Sequence, residues 1–340
     1  MYDFILHDSP AARQFRMHTN IKNGQYMGHV GELSKIGQKA RGCNPPDDEA
    51  TASFSLKPFG IHPWDFRLSQ CWADLAQSII DYGLKKGVEA PNLIGTPIGD
   101  LIENLIRDAM AKMFLRWGWF GDTEAATIAD GGTLADEADI KFYNVVDGVW
   151  KQIEAMIAAG TVNNIAIAAN DAATTAAQMA ADVDAKSIFT QLILGQPRKL
   201  AARPIADKVL RASGLLVNKF KAQLLNENIN TSEQFRQRED GIEVVRFLGY
   251  DIEAMHFWDE TIAGDMTTTK MDRPYRAILT TKDNLNMGLD GDESNMEELK
   301  VFYRDYDRKV YMEGRGGLDV IVARPDLVSV AGMAPATPAA

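Results

Sequence analysis

Residues 96–117, TPIGDLIENLIRDAMAKMFLRW, constrain this chain more than any other stretch. Ile98, Leu101, Ile102, Leu105, Ile106, Ala109, Met113 and Trp117 recur three or four apart, the spacing of a helix with one apolar face. Thr96 is placed to cap that helix. Pro97 can take its first position, where a missing N–H costs nothing. Glu103 with Arg107, and Asp108 with Lys112, stand four apart in the favourable order on the opposite face. About 20 residues at 1.5 Å each make a rod roughly 30 Å long. Gly118 is its expected end, and the aromatic cluster Trp117, Trp119 and Phe120 lies there. That cluster could close a pocket, stack on bases or lock two parts of a structural protein together; packing is the favoured reading.

The flanking segments give the order of elements. Residues 1–30 have weak periodicity and read as an extended arm. KARGCNPPDDEA at 39–50, with Pro45 and Pro46, is an exposed turn, and TASFSLKPFGI beyond it alternates Phe54 and Leu56 with Ser53 and Ser55 as a strand does. Together they suggest a two-stranded flap with little core of its own, which has to lie on something else. Helical spacing returns at 69–83 through Trp72, Leu75, Ala76, Ile79 and Ile80. After the rod, 121–142 is loop-like, a helix is expected around Asp147–Ile157, and another over Ala185, Ile188, Phe189, Leu192 and Ile193. Residues 202–225 read as two helices hinged at Ser213-Gly214, the second carrying the apolar line Leu216, Phe220 and Leu224. The last third is strand-like by its β-branched and aromatic content, with a tight hairpin expected at EGRGGLD, 313–319. The final residues, GMAPATPAA, read as disordered. This order is α+β, without the regular alternation of a Rossmann or barrel chain.

Composition narrows the function. The chain has 340 residues, 46% of them hydrophobic, enough for a sizeable core and two domains. Lysine and arginine number 36 against 47 acidic residues, a net charge of −11, which argues against a dedicated nucleic-acid binder. No secretory signal and no apolar run of membrane-spanning length is present. Cys43 and Cys71, too few and wrongly spaced for a disulfide scaffold or a zinc site, read as free thiols.

The search for chemistry returns little. The glycine-rich phosphate loops, the zinc-protease motif and the nucleophile elbow are all missing. His256, Asp259 and Glu260 form the best acid/base candidate. On a strand, however, His256 and Glu260 would share a face and Asp259 would point the other way. Asp290, Asp292 and Ser294 match the first oxygen positions of a calcium loop, but Asn295 and Val301 stand where glycine and glutamate are needed. No catalytic, cofactor-binding or metal-binding residue is assigned, and a structural protein is expected rather than an enzyme.

Taken in order, WFGDTEAA after the rod, NVVDGVWKQI, VVRFLGYDIEAMHFW, RAILTTKDNLNMGLDG and FYRDYDRKVYMEGRGGLDVIVARPDLVSVAG resemble segments of the major capsid proteins of tailed bacteriophages with the HK97 fold. The wording is particularly like that of phages infecting Bacteroidetes. The resemblance covers most of 1–330. It implies an N-terminal arm over 1–30, an E-loop over 31–66, and a P domain over 67–157 that includes a spine helix at 97–117. It further implies an A domain over 158–290, closing P-domain strands over 291–330 and a disordered tail over 331–340. By the same resemblance, hexamers and pentamers of the chain would build an icosahedral virion capsid around packaged dsDNA, assembled in the host bacterial cytoplasm. Its partners would be a portal protein at one vertex, possible decoration or auxiliary capsid proteins, and weak nonspecific contact with the dsDNA; no membrane is involved. Met1 so close to the arm favours a separate scaffolding protein over a cleaved leading segment. Some relatives crosslink an E-loop lysine to a P-domain asparagine; Lys35, Lys39, Asn284 and Asn286 fall in suggestive regions without a bond being assignable. The alternatives are a soluble hydrolase using His256, Asp259 and Glu260, or a minor virion structural protein.

Overall fold

The structure, a computed structural model, describes residues 9–30, 54–71, 97–227, 235–237, 243–290 and 300–333. A short helix α1 (Pro10–Gln14), whose Ser9 hydroxyl accepts from the Ala12 N–H, leads into strand β1 (Arg16–His18). Strands β2 (Tyr26–Val30) and β3 (Phe54–Pro58) pair antiparallel as the expected flap. The flap's tip, with Lys35, Lys39 and Cys43, lies outside the described residues. Strand β4 runs His62–Cys71, so the helix expected from residue 69 does not begin there; its remaining residues, like Thr96, lie outside those described.

The long rod is present as α2 (Pro97–Phe120) and runs straight through Gly118. A Cβ at Gly118 would stand 2.8 Å from the Phe15 ring and 2.9 Å from the Met287 methyl. The glycine therefore admits neighbours and does not stop the helix. The buried face follows Ile102, Ile106, Met110, Phe114 and Trp117, while Leu105 is 59% exposed. Asp108 and Lys112 are both exposed and form no ion pair with each other. Helix α3 (Val149–Ala158) is the one expected near 147–157, and it packs on α2 through Trp150 and Ile153.

Two sheets form the body. In the first, β1 pairs parallel with β11 (Leu285–Leu289), which pairs antiparallel with β13 (Lys309–Val322). Strand β13 also carries β12 (Lys300–Arg304) and all ten residues of β4. Strand β13 is continuous across 313–319, where a hairpin was expected. Its glycines are flat spots for aromatic rings: a Cβ on Gly314 would meet Phe66 at 2.5 Å, and one on Gly316 would meet Trp64 at 2.8 Å. Glycine marked close approach here, not a turn.

The second sheet has seven strands in the order β5-β14-β10-β6-β9-β8-β7. These are β5 (Asn163–Ile165), β6 (Lys208–Ser213), β7 (Phe235–Gln237), β8 (Glu243–Phe247), β9 (Tyr250–Met255), β10 (Ala277–Thr281) and β14 (Ser329–Ala331). Helices α4 (Ala185–Leu194) and α5 (Gly214–Asn226) cover one face through Phe189, Leu192, Leu216 and Phe220. The other face meets α2 and α3: along β10, Ala277 and Leu279 join the core under α4 and α5, and Ile278 the core around α2. Residues 208–213 form a strand where a helix was expected. Every residue of β6 is buried, so no polar alternation betrays its period. At the end of the described chain, Ala331 and Met333 are buried and the Met333 N–H donates to Asn164, so the segment read as a loose tail begins inside this sheet.

Candidate functional site

The aromatic cluster at the end of α2 is a buried hub. Phe114, Trp117, Trp119 and Phe120 are each 7% exposed or less, which removes them from any base-stacking role. Trp117 Nε1 donates to the Phe142 carbonyl at 2.6 Å, fixing the helix to the segment that follows it. Trp119 reaches further. Its Nε1 donates to Gln14 Oε1 at 2.7 Å, and its ring lies 5.4 Å from Phe15, 5.4 Å from Trp150 and 4.6 Å from Trp258. Trp258 sits in α6 (His256–Asp265), which follows β9. One indole thus touches the N-terminal segment, α3 and the helix leaving the seven-stranded sheet.

Cations line the hub. Arg211 of β6 lies 5.9 Å from the Trp119 ring, donates to Glu253 at 3.0 Å and donates to the Gln14 carbonyl at 3.0 Å. Arg276, 1% exposed, faces Trp150 at 5.2 Å and Phe120 at 5.4 Å, and its guanidinium donates to Asp272. Burial pulls its pKa down, and Asp272 opposes that. Buried cations on ring faces and carboxylates make this a rigid joint. Ala11 and Phe15 are buried in it, so residues 9–18 belong to the core and not only to an arm.

The acid/base candidate resolves differently. His256 and Asp259 lie on helix α6, not on a strand, so they share a face. His256 Nε2 is 3.3 Å from Glu243 Oε2, and Nδ1 is 4.0 Å from Asp259 Oδ2. Asp259 is already engaged: Oδ2 accepts from the Leu215 N–H at 3.0 Å, capping α5 from another helix because Ser213 makes no side-chain cap there. Burial raises the Asp259 pKa to about 6 against the pull of the Leu215 N–H and His256. Glu260 is exposed and takes no part. Among the described residues no group of three or more histidine, cysteine or acidic side chains could hold a metal ion. No helix among them is long and apolar enough to cross a membrane. Of the calcium-like loop Asp290 is described, Asp292, Ser294 and Asn295 are not, and Val301 lies in β12.

Asn284 and Asn286, considered for a crosslink, are 2% and 1% exposed. Asn284 joins the two crossings between sheets, 282–284 and 323–328. Its Nδ2 donates to Thr280 Oγ1 and the Arg324 carbonyl at 2.9 Å, and its Oδ1 accepts from the Arg324 N–H at 2.7 Å. Asn286 Nδ2 donates to the Asp283 carbonyl at 3.1 Å, and its Oδ1 is 2.9 Å from His18 Nε2.

The flap shows opposite faces. Met27 turns inward beside Ile21, Phe59 and Ile321, while Tyr26 and Leu56 stand 62% and 59% exposed on the outer side. At its root, Gly60 N–H donates to Asp319 Oδ2 at 2.8 Å, and burial raises the Asp319 pKa to about 6.

A flap, a long rod, and two sheets joined by short crossings make up an α+β architecture, the HK97-like fold of phage capsid proteins. A chain of the satellite phage P4 procapsid, solved with its size determination (Sid) protein, matches with a TM-score of 0.58 at 10% identity, over 98% of this chain and 98% of that one. A chain from Gordonia phage Cozz matches with a TM-score of 0.51 at 13% identity, over 93% of this chain and 84% of the other. No family model matches the sequence, and no curated protein matches it significantly. Nothing in these comparisons bears on the resemblance to phages of Bacteroidetes, and nothing in them supports a hydrolase.

Proposed function

We propose that this chain is the major capsid protein of a tailed phage, a structural subunit that associates with itself as hexamers and pentamers into an icosahedral shell around packaged dsDNA. The observation that carries the reading is the match in fold to a procapsid chain over 98% of both chains. In this reading α2 is the spine helix, the sheet containing β13 forms the P domain, the seven-stranded sheet forms the A domain, and β2 with β3 is the base of the E-loop. The outward Tyr26 and Leu56 suit it, because a two-stranded ribbon with an exposed apolar side gains its stability by lying on a neighbour. A portal protein at one vertex, a separate scaffolding protein, auxiliary capsid proteins, weak contact with DNA and assembly in the host bacterial cytoplasm belong to the same proposal.

Negative-stain electron microscopy of the purified chain, expressed alone and with neighbouring viral genes, tests it. Closed shells or rings of five and six subunits are the expected result. A persistent monomer under both conditions would overturn it.

A further inference from the structure

A cleft of about 480 Å³ opens where the flap root meets the two sheet crossings. Separate stretches of chain wall it: Arg16 comes from β1, Lys57 from β3, Arg203 from the segment before β6, Thr281 from β10 and Arg324 from beyond β13. Four lysines and arginines face two carboxylates there, Asp207 and Asp283, on a chain whose net charge is −11. Arg324 is committed, since its Nε and Nη2 donate to the two oxygens of Asp326 at 3.0 and 2.7 Å. Arg16 is held loosely, 3.7 Å from Asp283 with both side chains more than half exposed, so water screens the pair. Lys57 is the exception. Its Nζ donates to the Val322 carbonyl at 2.7 Å, and no carboxylate among the described residues stands within ion-pair distance. Burial lowers its pKa and no neighbouring charge offsets the effect. Thr281, 8% exposed, begins the 282–284 turn, yet its side chain makes no hydrogen bond to that turn. A half-buried ammonium without a counter-charge is costly, and a buried hydroxyl that caps nothing adds a second polar group in want of a partner.

We propose that this cleft is a binding site for a free oxyanion of the phosphate class, with Lys57 as its anchor and Arg16 as the second cation. The donors that are not fully committed are an ammonium, a guanidinium and a hydroxyl on three different strands. A compact ion with acceptor oxygens on every side answers all of them at once, and charge-assisted bonds of this kind are the strong ones. Asp207 and Asp283 border the same space and repel a long polyanion laid across it, which favours a small ion that fits between them. The position of Lys57 gives the site a consequence. Lys57 belongs to the flap, where it pairs with Met27, whereas Arg16 belongs to a strand of the first sheet. An anion shared by the two fastens the flap to the body. The site lies within one chain, so it stands apart from the shell-forming reading.

Isothermal titration of the full chain with sodium phosphate, against sodium chloride of matched ionic strength, tests it. Saturable binding of inorganic phosphate is expected, and Lys57→Gln, which can still donate to the Val322 carbonyl, should weaken it roughly tenfold or more. Asp283→Asn removes a repelling charge and the competitor for Arg16 at an exposed position, and should tighten binding several-fold. That variant keeps the proposal open to refutation even if Lys57→Gln does not fold. Hydrogen exchange gives a second readout: saturating phosphate should slow the amides of β2 and β3 in the parent chain and leave them unchanged in Lys57→Gln. No binding beyond that of chloride, equal binding by the parent and Lys57→Gln, or no gain in Asp283→Asn overturns the site. So does a short DNA duplex that displaces the phosphate and itself depends on Lys57, which would assign the cleft to nucleic acid in place of a free anion.

Discussion

Asp259 shows how much one side chain depends on its neighbours. Its Oδ1 is buried without a hydrogen-bond partner, while Oδ2 caps α5. With a folded pKa near 6 against 3.8 ordinarily, the folded state holds this proton more tightly than the unfolded chain. The site's contribution to stability is therefore full below about pH 4 and is lost as pH rises through about 6. Asp259→Asn keeps an oxygen for the Leu215 N–H and removes the titration. Thermal unfolding between about pH 4 and 7 should show a shallower fall in stability for the variant, which should be at least as stable as the parent near neutrality. Parallel curves would mean that Asp259 is not the group responsible. The sequence offered Asp259 as half of a catalytic pair; its occupation as a cap could not be read there, because α5 and α6 are brought together only by the sheet between them.

The elements most legible in the sequence were those with one buried face. Helices α2, α3, α4 and α5 each carry an apolar stripe of period 3.6. Strand β3 alternates as well, but its Leu56 stands on the exposed side, so there the pattern gave the strand and not its buried face. Strand β6 fails that test because both its faces are covered. Gly314 and Gly316 mislead in another way, since a glycine signals a turn and a ring contact equally well. Gly316→Val separates those meanings. By strand propensity alone valine should stabilise β13. Instead its side chain meets Trp64, which is packed 5.8 Å from Phe114 and 5.9 Å from Trp117, and a loss of about 1–3 kcal/mol is expected by denaturant unfolding. A more stable variant would refute the ring-contact account.

For the molecule as a whole, the two sheets are coupled through the α2 hub on one side and the Asn284 crossings on the other. Asn284→Ala takes the side-chain acceptor away from the Arg324 N–H and one of two donors away from the Arg324 carbonyl, which also accepts from the Leu327 N–H, a loss of about 1–3 kcal/mol. Hydrogen exchange should quicken at residues 323–328 and 282–286 while the amides of α2 stay protected. Uniform change across the chain would show that the crossings are not a local joint. The sequence by itself determined the rod, the flap, the α+β order and the absence of a recognisable catalytic motif, because periodicity, turn chemistry and charge are local properties of the chain. Tertiary structure alone decided that Trp119 ties the N-terminal segment to α3 and α6, that Asn284 joins two distant crossings, and that Lys57 lacks a counter-charge. Each depends on which groups meet across 40 to more than 250 residues of chain, as with Asn284 and Arg324 or Lys57 and Val322, and burial and pairing are set by that meeting.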